Sequence, residues 1–231
     1  MSKKMYEEAN IRSIANKIRE KTGAETRYKT KEMPSGINEV YDAGVNFGKK
    51  SGYDSFWDNF QNNGNFRIYY YAFAYQRFDD DNYNPKYPIN CSASNTAAQH
   101  LFSASSGITD TKVPIIINST NANAMFYSAS GIVTIREIQI KKANTTFNSA
   151  FNGCQELANV TFTGLPIDNN LSLHDSPKLS DKSIDNIVSM LKDLTGGSSK
   201  KLTVHSDVYN RMVADGRNAL VESKNWVLEK S

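Results

Sequence analysis

Along the chain, apolar positions follow two different rhythms. Near the start, Ile11, Ile14, Ala15 and Ile18 fall at i, i+3, i+4 and i+7, which gathers them on one stripe of a short helix stopped by Thr22-Gly23. A polar segment, 24–32, leads to Met33-Pro34-Ser35, where proline and serine suit the start of a second helix. That helix carries Ile37, Val40, Tyr41, Gly44, Val45, Phe47 and Gly48. Gly44 and Gly48 lie one turn apart and let another helix approach closely, so Ile37, Val40, Gly44, Phe47 and Gly48 form an expected self-association face; the alternative is that this face packs on the rest of its own chain.

The middle of the chain has a longer rhythm. Leu101-Phe-Ser-Ala-Ser-Ser-Gly-Ile108 is echoed by Met125-Phe-Tyr-Ser-Ala-Ser-Gly-Ile132 and by Ala150-Phe-Asn-Gly-Cys-Gln-Glu-Leu157. The phenylalanines Phe102, Phe126 and Phe151 stand 24 and 25 positions apart. Strand-like runs follow at Val113–Ile117, Ile135–Ile140 and Val160–Phe162, and a degenerate fourth unit spans Leu171–Leu179. A period in the low twenties with recurring Phe and Leu/Ile anchors predicts a leucine-rich solenoid, in which units must stack because none buries its apolar edge alone. Evenly spaced strands of a β-sandwich would explain the alternation but not the recurring anchors. The first two units carry Ser-Ala-Ser where the third has Asn-Gly-Cys, and the second strand run holds extra residues.

Helical spacing returns at Ile184, Ile187, Val188, Leu191 and Leu194, closed by Gly196-Gly197. A strand at Leu202–Val204, a helix from an Ser206 N-cap through Tyr209, Met212 and Val213, and the closing Asn225-Trp-Val-Leu228 complete an expected terminal cap. The resulting expectation is an α+β chain: helical attachment segment 1–52, aromatic capping region 53–96, short leucine-rich-repeat solenoid 97–179 and helical C-terminal cap 180–231.

Composition alters this picture in one region. Positions 53–87 hold seven of the twelve tyrosines and five of the eleven phenylalanines. Tyrosine offers a flat apolar face and a hydroxyl, which suits stacking on sugar rings and protein interfaces. Tyr70, Tyr75 and Tyr83, with Asn82 and Asn84 donating hydrogen bonds, are the expected binding residues; most of Phe56, Trp57, Phe60 and Phe73 should instead be buried.

The 39% hydrophobic content is enough for a sizeable core. A net charge of +3 arises from interspersed 27 basic and 24 acidic residues, without the basic face that nucleic-acid binding needs. Cys91 and Cys154 lack metal-site spacing and read as reduced core residues. No apolar run reaches membrane-span length, and the charged N-terminus predicts synthesis in a bacterial cytoplasm without a signal peptide.

No catalytic, cofactor or metal motif emerges. Asp79-Asp-Asp81 with Asn82 and Asn84 fails calcium-loop spacing, and His100, His174 and His205 lack partners in sequence. The enzymatic alternative is a cell-wall hydrolase using a carboxylate pair such as Glu137 and Glu156.

Three segments resemble a family of structural proteins of tailed phages and prophages of Gram-positive bacteria: Ile11–Gly23 with Lys31–Ile37; Phe56–Asn65 with Ala72-Phe73 and Asn84–Tyr87; and the repeats. Asn148–Leu157 is similar to BspA-like leucine-rich repeats, and Pro177–Leu179 and Lys224–Trp226 to the family's closing unit. The resemblance implies a virion protein of tail or baseplate acting in host adsorption or tail assembly. Its partners would be other tail proteins, host cell-wall glycan or a surface protein, and further copies of itself, with neither nucleic acid nor membrane insertion. A bacterial surface-type repeat module unconnected with a tail is the second reading.

Overall fold

The computed structural model describes residues 71–79, 83–85, 87–92 and 94–231. The chain divides into two compact units, Met1–Phe56 and Trp57–Ser231, and every described residue belongs to the second. The expected self-association residues Ile37, Val40, Gly44, Phe47 and Gly48 lie outside the described residues, as do Tyr70, Asn82, Phe56, Trp57 and Phe60.

Four strands, β1 (Ile89–Cys91), β2 (Ile115–Ile117), β3 (Thr134–Ile140) and β4 (Asn159–Gly164), form a parallel sheet in chain order. Ile89, Ile115, Ile138 and Phe162 pair across it as one inward row, each fully buried. Asn90, Ile116, Gln139 and Thr163 form the neighbouring row on the other face. β-branched residues dominate the inward positions, where a parallel sheet buries its side chains. An antiparallel sandwich would not pair its strands in this way.

The turn segments between strands are also joined in register. The amides of Phe73, Phe102 and Phe126 donate to the carbonyls of Leu101, Met125 and Ala150, at 2.9, 2.7 and 2.8 Å. On either side of each phenylalanine a residue has positive φ: Tyr71, His100, Ala124 and Ser149 form one column, Tyr75, Ala104, Ser128 and Gly153 the other. Within each turn the left-handed residues recur at every fourth position, and every second amide points to the next unit, so that Tyr71, Phe73 and Tyr75 donate to Gln99, Leu101 and Ser103. Non-glycine residues in this conformation cost ~1–2 kcal/mol each, offset here by a ladder that satisfies groups otherwise buried unpaired.

The rings of Phe73, Phe102, Phe126 and Phe151 stack inside this ladder, with successive centroids 5.2, 5.4 and 6.1 Å apart. Phe73 thus belongs to the same stack as the repeat phenylalanines. The expected boundary between a capping region ending at 96 and repeats beginning at 97 is crossed by the ladder without a break.

Past β4 the next strand position is taken by helix α1 (Asp181–Met190), N-capped by Ser180. Ser183 Oγ accepts from the Val160 amide at 3.0 Å, and Asn186 Oδ1 accepts from that of Phe162 at 2.7 Å. α1 buries Ile184, Ile187 and Val188 and ends at Leu191, short of Gly196-Gly197. Lys224 Nζ closes its C-terminus, donating to the carbonyls of Val188, Ser189 and Leu191, which suits a cation there.

A second parallel sheet joins β5 (Leu171–Leu173), β6 (Lys200–Val204) and β7 (Trp226–Lys230). Helices α2 (Ser206–Ala214) and α3 (Arg217–Ser223) lie between β6 and β7 in the chain. His205, rather than the expected Ser206, is the N-cap of α2, its Nδ1 accepting from the Asp207 amide. The helix runs through Tyr209, Met212 and Val213 as expected; it buries Val208 and Met212, while Val213 is exposed.

Candidate functional site

The outer face of the first sheet is broken by a bulge. Ile135 pairs with Val160 and Ile138 with Phe162, so β3 spends one more residue than β4 between two inward positions. Arg136 and Glu137 therefore both lie between the buried Ile135 and Ile138, and neither is in the core. Bulges recur where a sheet must re-aim side chains.

Arg136 meets Asp110 side-on, Nε to Oδ1 at 2.9 Å and Nη2 to Oδ2 at 2.6 Å. The hydrogen bond and then the charge of Asp110 raise the guanidinium's pKa, against a smaller desolvation. The Lys112 amide also donates to Asp110 Oδ1, at 2.7 Å. The carboxylate is thus fixed from two sides, and the planar pair is held in one orientation. Glu137 accepts from Thr163 Oγ1 at 2.5 Å.

Beside this pair lies an open, polar depression of about 350 Å³, lined by Asp110, Thr134, Arg136, Asn159, Thr161 and Lys182. Its groups come from the loop before β2, from β3, from β4 and from the first turn of α1, so the stacking of units creates it. Asn159 Nδ2 faces Thr134 Oγ1 at 3.4 Å, while Ser180 Oγ donates to Asn159 Oδ1 at 3.2 Å. Among the described residues Lys182 has no ion-pair partner, whereas the adjacent Asp181 is bound by Arg211 at 2.8 Å. The arrangement offers donors and acceptors on one rigid surface, with two cations against one carboxylate.

Of the expected binding residues, Tyr75, Tyr83 and Asn84 are described. Tyr75 is 72% exposed and stacks at 6.4 Å on Tyr71, which in turn lies 4.2 Å from the ring of His100. Tyr83, expected at the surface, is instead a core residue at 2% exposure. Its hydroxyl donates to the Thr111 carbonyl at 2.9 Å, and its ring lies edge-on to Phe78 and Phe102. Burial, with the charge of Asp110 second, pushes the hydroxyl's pKa up; a phenol so enclosed does not contact a ligand in solvent. Asn84 is half-buried, and Tyr70 and Asn82 lie outside the described residues.

The two carboxylates weighed for hydrolysis have separate partners, Glu137 with Thr163 and Glu156 with Lys178 at 2.5 Å. His174 is bonded to Ser172 and faces Asp175. Asp110, Arg136, Asn159 and Lys182 were not singled out from sequence; the one signal for them was the surplus residue in the second strand run, which is the bulge.

No protein-family model, curated protein or solved structure matches the chain. Among the described residues no helix is long and apolar enough to cross a membrane.

Proposed function

We propose that this chain is a non-catalytic binding and structural protein of a phage or prophage tail or baseplate, built on a short leucine-rich solenoid and acting in host adsorption or tail assembly. The observation that carries the binding role is the series of amide-to-carbonyl bonds running between the turn segments from Tyr71 to Asn152. Units joined in this way contact mainly their neighbours, and they hold the side chains of one face in a fixed array. Such pre-organisation lowers the ordering cost of binding. The bulged sheet face, with its polar depression, supplies a surface on which it can be used. The assignment to a tail rests on the sequence resemblance of the N-terminal, aromatic and repeat segments.

Mass spectrometry of purified particles tests the proposal: the chain should be present at a fixed ratio to known tail proteins. Recovery only in the soluble fraction of lysed cells would favour a repeat module unconnected with a tail. Zymography on Gram-positive cell walls addresses the hydrolase alternative, and reproducible clearing by the pure chain would overturn the non-catalytic reading.

A further inference from the structure

The depression on the first sheet differs from a pocket for an apolar ligand. Its volume of about 350 Å³ is within the ~300–1,000 Å³ of small-ligand sites, but its lining is dominated by polar side chains. Asp110 offers carboxylate acceptors, Arg136 planar donors, Asn159 both, and Thr134 and Thr161 hydroxyls. Three of these are already oriented by the protein: Arg136 by Asp110, Asp110 by the Lys112 amide, and Asn159 by Ser180 and Thr134. Fixed donors and acceptors a few ångströms apart match neighbouring hydroxyls on a ring, each of which must both give and accept a hydrogen bond once water is displaced.

Charge narrows the ligand further. Within the lining, Asp110 neutralises Arg136, which leaves the Lys182 ammonium uncompensated because Asp181 is engaged by Arg211. An exposed lysine without a carboxylate partner among the described residues, at the rim of a hydroxyl-reading surface, favours a carboxylate or phosphate on the incoming molecule.

We propose that the depression between β3, β4 and the first turn of α1 binds an acidic glycan, with the Asp110–Arg136 pair and Asn159 reading hydroxyls and Lys182 reading the negative charge. The proposal rests on the binding-protein reading above and names the ligand class of that surface.

Calorimetric titration of the full chain with trigalacturonate and with its neutral methyl ester tests it. Trigalacturonate is expected to bind at least ~10-fold more tightly than the ester, a difference of about 1.4 kcal/mol. Lys182→Gln should remove most of that difference, Lys182→Arg should keep it, and Asn159→Asp, which places a like charge in the site, should weaken the acid more than the ester. Lys182 is exposed and has no ion-pair partner among the described residues, so thermal melting of K182Q should match that of the parent. Equal affinity for acid and ester, no heat at ~1 mM ligand, or an affinity untouched by K182Q overturns the proposal. Preference for a single-stranded oligonucleotide over trigalacturonate does so as well. Incorporation into particles is measured separately, so a failure here removes the ligand assignment and leaves the structural role standing.

Discussion

Asn186 occupies both hydrogen-bonding groups of Phe162: its Oδ1 accepts from the Phe162 amide at 2.7 Å and its Nδ2 donates to the Phe162 carbonyl at 3.0 Å. A helical side chain thus stands where the backbone of another strand would pair, and it stops β4 from offering a free edge. Asn186→Ala should cost about 2–4 kcal/mol in urea unfolding, because it leaves two partly buried backbone groups without a partner. Asn186→Asp keeps the acceptor but sets a carboxylate against the Phe162 carbonyl, so it too should destabilise. A change below about 0.5 kcal/mol in both would mean that water substitutes for the amide.

The phenylalanine stack gives a second test. Phe126 is fully buried between Phe102 and Phe151, and Phe126→Ala should cost about 3–5 kcal/mol, while Phe126→Leu should cost under about 2. Phe73→Ala should resemble Phe126→Ala in effect if Phe73 is a full member of the stack. A loss below about 1 kcal/mol at Phe73 would make it a peripheral contact.

Gly164, with φ +84°, ends β4 against the Ile140 carbonyl, and a Cβ there would overlap that oxygen. Gly196 has nearly the same φ, +81°, but open space around its missing Cβ. Gly196→Ala should therefore cost only the backbone strain, about 1–2 kcal/mol, whereas Gly164→Ala should cost at least about 3, strain and displacement together. Equal losses at the two sites would show that the β3–β4 junction yields to make room.

Cys91 and Cys154 are fully buried, and burial pushes both thiols up to about 12. At about pH 8 a thiol reagent should label neither in the native protein and both after unfolding. A raised thiol pKa favours the neutral form in the folded state. The stability it contributes is whole below the ordinary value of 9.0 and declines as pH rises from there toward 12. Unfolding midpoints should accordingly drift down over that window, and less so in a Cys91→Ala, Cys154→Ala double variant. Rapid native labelling of either cysteine would contradict the packing around it.

The aliphatic and aromatic spacing carried much of the described architecture. It gave the register of Phe102, Phe126 and Phe151, the runs that became β2, β3 and β4, the buried face of α1, and the strand at Leu202–Val204. These are legible because each unit repeats one local solution, and a repeated packing problem leaves a periodic record. The place of Phe73 in the stack is not legible, since a longer connection separates it from Phe102 and hides the period. α3 is too short to show a period of its own, β5 was legible as the start of the degenerate unit at Leu171–Leu179 but its pairing with β6 in the second sheet was not, and Tyr83 reads as a surface tyrosine until Thr111 supplies a buried partner for its hydroxyl. The candidate site lay beyond the sequence for a related reason. Asp110, Arg136, Asn159 and Lys182 come from four segments and are ordinary surface residues in each; only the lateral stacking of units brings them together. The sequence by itself determined which side chains turn inward, because burial selects for composition. Tertiary structure decided which polar groups became neighbours, because that depends on register, on the one-residue bulge in β3 and on α1 taking the place of another strand.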